Sequence, residues 1–293
     1  MTPIKFVFFG TPEFSVIILD ELLKRGLVPG LVVTTPNRPK GRGLKEAPSP
    51  VRVWSETHNI PCITPEALTD IPELRSSPSG GPWDMFVVCA YGTILPSAIL
   101  TLPTHGALNV HPSILPKYRG ASPIEAQILA DEEDVGVTIM CMDEEMDHGP
   151  ILASEVVSLP SWPIRKDELS RVLATEGGRL LADTMLRITA LQAIPQDHEK
   201  ATFTKKIRKE DGEITFTETP YNTFLQFCAY HPWPGSFFFA EKDGARTRIK
   251  IIEARFSDGI FLPTRVVPEG RKEVAYRDLF SLGYLLPPKA PKE

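Results

Sequence analysis

The chain is poor in cysteine, has no long apolar run, and shows no metal-ligand spacing. Its four cysteines, Cys62, Cys89, Cys141 and Cys228, are scattered over 293 residues. No two are close enough for a metal knuckle or a CxxC redox pair, which excludes a disulfide scaffold or a zinc ribbon. Reduced thiols acting as small hydrophobes are expected instead. No stretch approaches the roughly 20 apolar residues of a membrane-spanning helix, so no membrane partner is expected. The start, Met1 to Gly10, lacks the basic flank and small-residue cleavage site of a signal peptide, and a cytoplasmic location is expected. His111, His148 and nearby carboxylates offer metal-ligating atoms, but no HExxH-like spacing accompanies them and no metal is expected. There is no internal repeat, and the 29 prolines are dispersed as turn punctuation.

What is present alternates. Ile4 to Phe9 is a nearly continuous apolar run that stops at Gly10-Thr11-Pro12, the pattern of a buried strand opening into a loop. Ser15 to Arg25 carries apolar residues at helical spacing and ends at Gly26. Gly30 to Thr34 is a second strand, which makes a βαβ unit with a right-handed crossover. The alternation continues through strands at Met85–Ala90, Ala107–Val110, Val135–Met142 and Ile151–Val157, with helices at Pro96–Leu100 and Ser122–Leu129. A long helical stretch, Arg165–Leu191, is weakened by Gly177-Gly178. Residues 1–192 are therefore expected to form a doubly wound, parallel-sheet (Rossmann-like) α/β domain. A polar, Lys-rich linker over 193–212 follows. In residues 213–293, short β-type runs separated by Asp-Gly and Gly turns predict a small β-barrel.

Net charge is −5, but unevenly spread. From Lys205 onward there are 15 Lys and Arg against 12 Asp and Glu, whereas residues 1–204 hold 17 against 25. A basic C-terminal region on an acidic body is compatible with a polyanionic partner.

In a parallel sheet, ligands bind beyond the carboxyl ends of the strands. The strand ending at Val110 carries Asn109 and runs into His111, and the strand after Val135 leads to Asp143 through His148. If both loops share a rim, an amide, an imidazole and a carboxylate converge. An amine attacking a carbonyl needs a donor for the developing oxyanion, which Asn109 or protonated His111 supplies. It also needs a group that takes a proton near neutral pH, which imidazole does. A carboxylate such as Asp147 orients that imidazole and supports its charged form. Composition alone leaves His148 as a rival imidazole.

The segment Asn109-Val110-His111-Pro112-Ser113-Ile114-Leu115-Pro116-Lys117-Tyr118-Arg119-Gly120 resembles the signature of the folate-dependent formyltransferases. Gly136 to Gly149 resembles the family's second motif. The resemblance implies that Asn109, His111 and Asp147 are the catalytic trio and that His148 is not. It also implies 10-formyltetrahydrofolate as co-substrate, held by Ser113, Ile114, Leu115 and Pro116 and by the loop at Cys89, Ala90 and Tyr91. Pro112 stands where the tRNA-formylating branch of the family commonly has Gly, although other branches also carry Pro there, and Ile114 replaces the usual Leu.

Within the family, Phe8-Phe9-Gly10-Thr11-Pro12-Glu13-Phe14 and the basic stretch Pro36 to Pro50 resemble the branch that formylates methionyl initiator tRNA. That likeness implies tRNA contacts by Arg38, Lys40, Arg42 and Lys45, an OB-like C-terminal barrel that binds tRNA, and a monomeric working unit. Alternatives are formylation of an amino sugar or other small amine, and hydrolysis of formyl-folate.

Overall fold

The computed structural model describes residues 3–40 and 45–286. In chain order the elements are β1 (Phe6–Gly10), α1 (Glu13–Lys24), β2 (Leu31–Val33), β3 (Arg38–Lys40), β4 (Lys45–Ala47), α2 (Pro50–Thr57), β5 (Cys62–Ile63), β6 (Met85–Cys89), α3 (Ser97–Leu100), β7 (Ala107–His111) and β8 (Arg119–Gly120). They continue with α4 (Pro123–Leu129), β9 (Gly136–Cys141), β10 (Ile151–Val156), α5 (Lys166–Leu186), β11 (Phe203–Thr204), α6 (Pro220–Ala229), β12 (Phe237–Lys242), β13 (Ala245–Ser257), β14 (Ile260–Pro268) and β15 (Val274–Ala275). Among the described residues no helix is long and apolar enough to cross a membrane.

The chain forms two compact units. One comprises Met1–Gly120, Asp134–Ser158 and Ser170–Phe203; the other comprises Ala121–Glu133, Leu159–Leu169 and Thr204–Glu293. This interleaved division differs from the single cut expected near residue 192 and the linker expected over 193–212. Its reason is tertiary. In the second unit α4 packs on α6, and Asp131 accepts hydrogen bonds from Trp162 Nε1 at 2.8 Å and Tyr221 Oη at 2.9 Å. These contacts tie two early segments to the C-terminal region.

The first unit is built on a seven-stranded sheet of order β10-β9-β7-β6-β1-β2-β5. Five strands, β7-β6-β1-β2-β5, are mutually parallel. The apolar runs at the centre of this parallel set are buried on both faces, as crossover helices require: every residue of β1, β2 and β6 is buried. The other two strands depart from the parallel expectation. β9 pairs antiparallel with β7, and β10 antiparallel with β9.

Gly177 and Gly178 do not interrupt α5. A Cβ at Gly177 would lie 2.9 Å from Val110 Cγ1, and one at Gly178 would lie 2.6 Å from Glu21 Cβ and 3.2 Å from Ile18 Cα. The glycines let α5 approach both the sheet and α1, a gain that outweighs their poor helix propensity. The helix α2 had no forecast from periodicity. Its signals are a Ser49 cap, whose hydroxyl accepts from Arg52 N at 3.0 Å, and Pro50 in the first turn.

In the second unit, β12-β13-β14-β15 make an antiparallel sheet of four strands. Phe224 and Phe227 of α6 pack on Phe261, and Phe224 also stacks on Phe256. Along β12, Arg246 lies over the ring of Phe239 at 3.7 Å and Arg248 over Phe237 at 3.6 Å.

Candidate active site

Asn109 and His111 lie two residues apart on β7, so the pleat puts both side chains on one face. The alternate residues Leu108 and Val110 are buried on the other face. Asp147 arrives by a route that a shared rim does not describe. Because β9 is antiparallel to β7, its last residue, Cys141, stands opposite Leu108 near the start of β7, and Met142 N donates to Ala107 O. The connection from Met142 to Pro150 then folds back along β7. Asp147 takes a left-handed conformation, φ 51°, which Asp tolerates better than most residues.

The three side chains meet. Asn109 Nδ2 donates to Asp147 Oδ1 at 3.2 Å. His111 Nδ1 faces the same oxygen at 3.6 Å. The Gly120 amide donates to Asp147 Oδ2 at 2.7 Å. His111 is buried, and its Nε2 lies 3.0 Å from Tyr118 O. A carbonyl can only accept, so Nε2 carries a proton, and in the neutral ring the lone pair is on Nδ1, toward Asp147. Burial pushes the His111 pKa below its ordinary value of 6.5. The Asp147 charge and the Tyr118 carbonyl oppose that shift, and the Arg119 charge adds to it. The free protein therefore holds a neutral imidazole at pH 7 whose acquired charge a carboxylate stands ready to balance.

His148, the rival imidazole, belongs to a different group of contacts. Its Nδ1 donates to Asp143 Oδ2 at 2.7 Å, and its ring stacks on His198 with centroids 4.0 Å apart and an interplanar angle of 4°.

The segment 112–118 is held by buried hydroxyls. Ser113 Oγ donates to Lys117 O at 2.7 Å. Thr138 Oγ1 donates to Ser113 O at 2.7 Å and accepts from Leu115 N at 3.2 Å. Ser113 and Leu115 thus face inward, while Ile114 and Pro116 are half-buried. Gly136 opposite makes room for Ile114, whose Cδ1 would lie 2.4 Å from an added Cβ.

The loop after β6 divides similarly. Cys89 and Tyr91 are buried, and burial raises both pKa values. Their carbonyls accept from Ser15 Oγ at 2.6 Å and Thr11 Oγ1 at 2.9 Å. Ala90 between them is exposed, with φ 47°. A cavity of about 220 Å³ adjoins this loop at the carboxyl ends of β2, β5 and β6, lined in part by Thr35, Asn37, Glu66 and Tyr91.

The basic stretch contains a hairpin that was not forecast. β3 and β4 pair antiparallel, with Arg38 opposite Ala47 and Lys40 opposite Lys45. Arg42 lies outside the described residues.

Two residues that sequence reasoning passed over hold the Asp147 connection. Gln196 and Arg119 are both buried. No local signal marks Gln196, which follows the long helix in a polar connection. Arg119 stood inside the signature without an assigned role.

Residues 4–185 match the family described as Formyl transferase. The methionyl-tRNA formyltransferase of Thermus thermophilus is 39% identical over 272 residues, covering 90% of this chain and 85% of that protein. Among solved structures, methionyl-tRNA formyltransferase from Clostridium thermocellum superposes with a TM-score of 0.63 at 12% identity, covering 93% of this chain and 99% of that one. An N-formyltransferase from Helicobacter canadensis, crystallised with folinic acid and dTDP-3-aminofucose, gives 0.60 at 18% identity, covering 93% and 98%. At these identities the two structures speak for the fold.

Proposed function

The chain belongs to the formyl transferase family, and from that premise we propose that Asn109, His111 and Asp147 carry formyl transfer to the amine of methionyl initiator tRNA. The observation that carries this reading is the meeting of the three side chains at Asp147 Oδ1.

10-Formyltetrahydrofolate supplies the formyl group. Ala90, Ile114 and Pro116 suit its flat ring, because they leave small or apolar surface beside loop backbone. The inward-facing Ser113, Leu115, Cys89 and Tyr91 act by shaping that surface. The amine attacks the formyl carbon. Asn109 uses one amide hydrogen on Asp147, and among the described residues the other has no partner, so it is available to the developing oxyanion. His111 Nδ1 takes the proton that the amine nitrogen must lose. The resulting imidazolium is balanced by Asp147, which the Gly120 amide and Asn109 hold in place. As the tetrahedral adduct collapses, the bond between the formyl carbon and N10 breaks, the imidazolium returns its proton to N10, and tetrahydrofolate leaves, so no covalent link to the enzyme is needed.

The acceptor end enters between the 35–52 segment and the sheet rim, where the cavity beside Tyr91 opens. Arg38, Lys40, Arg42 and Lys45 meet tRNA phosphates. The C-terminal sheet is the framework of a small OB-like barrel that adds backbone contacts. Supporting this, β12 carries two further bridges, from Glu213 to Phe237 and from Glu241 to Leu285. The reaction runs in the cytoplasm.

The test is formyl transfer from 10-formyltetrahydrofolate to methionyl initiator tRNA, with His111→Ala as control. Formylmethionyl-tRNA made by the wild type and lost in the variant supports acceptor and site together. Formate release or small-amine formylation without tRNA product would remove the acceptor assignment and keep the chemistry.

A further inference from the structure

Arg119 is 3% exposed and Gln196 is 6% exposed, and they face one another. Arg119 Nε and Nη2 donate to Gln196 Oε1 at 3.2 and 2.6 Å. A guanidinium has no acceptor, so it fixes the oxygen of the Gln196 amide toward itself and turns the nitrogen away. That nitrogen donates to Asp147 O at 2.9 Å and to Gly149 O at 2.7 Å, which uses both its hydrogens.

These carbonyls flank His148 and bracket the turn that presents Asp147. Asp147 is held at φ 51°, a sparsely populated conformation that surrounding contacts must impose. Gly149 has no room for a side chain, since a Cβ there would stand 2.0 Å from Cys141 O. The residue after Arg119, Gly120, grips the Asp147 carboxylate directly. One dipeptide thus sets Asp147 twice, through its carboxylate and, by way of Gln196, through its backbone. Arg119 Nη2 also donates to His198 Nδ1 at 2.9 Å, and His198 stacks on His148 within the same turn.

We propose that Gln196, oriented by Arg119, is a positioning residue whose amide holds the Asp147 carboxylate against His111 and Asn109. The proposal rests on the assignment of those three residues as the catalytic trio. Gln196 touches none of the reacting atoms and acts through Asp147. Its removal lets the turn relax and draws the carboxylate away from His111, which is faced by Asp147 from one side, the Arg119 charge from another and the Tyr118 carbonyl at Nε2.

The experiment compares wild type, Gln196→Leu and Gln196→Glu in formyl transfer to methionyl-tRNA across pH, with rates normalised to folded protein by circular dichroism. Gln196→Leu keeps bulk but has no donor. Its kcat should fall about tenfold or more while KM for 10-formyltetrahydrofolate stays within about twofold, as for an interaction made only in the transition state. Its acidic limb should move to lower pH, because a withdrawn carboxylate no longer supports protonated His111. Gln196→Glu keeps an acceptor for Arg119 but turns an oxygen toward two carbonyls, so its kcat should fall as far.

A Gln196→Glu enzyme with wild-type kcat overturns the proposal. So does a Leu variant whose loss tracks only unfolded protein with an unmoved acidic limb. If the Leu variant does not fold, the kcat of the Glu variant decides. His111→Ala and Asp147→Asn in the same assay separate the two readings. If both retain wild-type turnover, the trio assignment falls and the positioning role with it. If both are impaired while the Gln196 variants are not, only the positioning role falls.

Discussion

The amide of Asn109 and the carboxylate of Asp147 meet at 3.2 Å across 38 residues of chain. In the proposed mechanism each member of this contact has a separate task, so the removal of either should lower turnover for its own reason. Asn109→Ala removes an oxyanion donor and should lower kcat by about 10² to 10³, or roughly 3–4 kcal/mol. Asp147→Asn keeps the shape but loses the charge that balances imidazolium, and its kcat should fall by a similar order. In both, KM for 10-formyltetrahydrofolate should change little. Steady-state kinetics with quantified formyl product checks this. A rise in KM at constant kcat would place these residues in ground-state binding instead.

His111 predicts a pH dependence of known sign. Its folded pKa lies below 6.5, with burial the largest cause. The acidic limb of kcat/KM should therefore fall below pH 6.5, and His111→Ala should lower turnover by about 10² to 10⁴. Linkage acts on stability in the same window. Between the folded pKa and 6.5 the unfolded chain binds more protons, so stability is fully present above 6.5 and is lost as pH falls through the folded pKa. A His111→Gln variant should show a shallower loss of stability over that range in urea titrations. Parallel curves for the two proteins would contradict a neutral, buried imidazole.

Gly178 tests the packing of α5. Gly to Ala at an exposed helix position stabilises by about 1 kcal/mol. Here the added Cβ would stand 2.6 Å from Glu21 Cβ and 3.2 Å from Ile18 Cα. Gly178→Ala should instead destabilise the fold by about 1 kcal/mol or more, since overpacking typically costs about 1–3 kcal/mol. Thermal or chemical unfolding measures the sign, and a more stable variant would show that α1 and α5 can separate at no cost.

The basic hairpin predicts a selective effect on tRNA. Replacing Arg38, Lys40, Arg42 and Lys45 together by Ala should weaken tRNA affinity while leaving KM for 10-formyltetrahydrofolate unchanged. The slope of log K against log salt should become shallower by about 0.7–0.9 for each phosphate that is no longer neutralised. An unchanged slope would mean that these charges are solvated and do not meet phosphate.

Much of this protein can be read along the chain because much of it is locally encoded. The apolar run before Gly10 and the helical spacing of Ser15 to Arg25 correspond to β1 and α1 with shifts of a residue or two. Asn109 and His111 share a face because they are two apart on a strand. The short α2 and two-residue β5 escaped notice, as neither is long enough to show periodicity. The antiparallel placement of β9 was also hidden, since an apolar strand pattern has no direction.

The sequence by itself determined the α/β alternation, the pairing of Asn109 with His111 on one face, and the motif that marks the family. All follow from backbone periods and from residue types at fixed spacing. Only the tertiary structure decided how Asp147 reaches them. There β9 runs against β7, the turn is held at φ 51°, and the amide of Gln196, 49 residues later, donates to the carbonyl of Asp147. Such contacts depend on which distant segments pack together, and no local period records that choice.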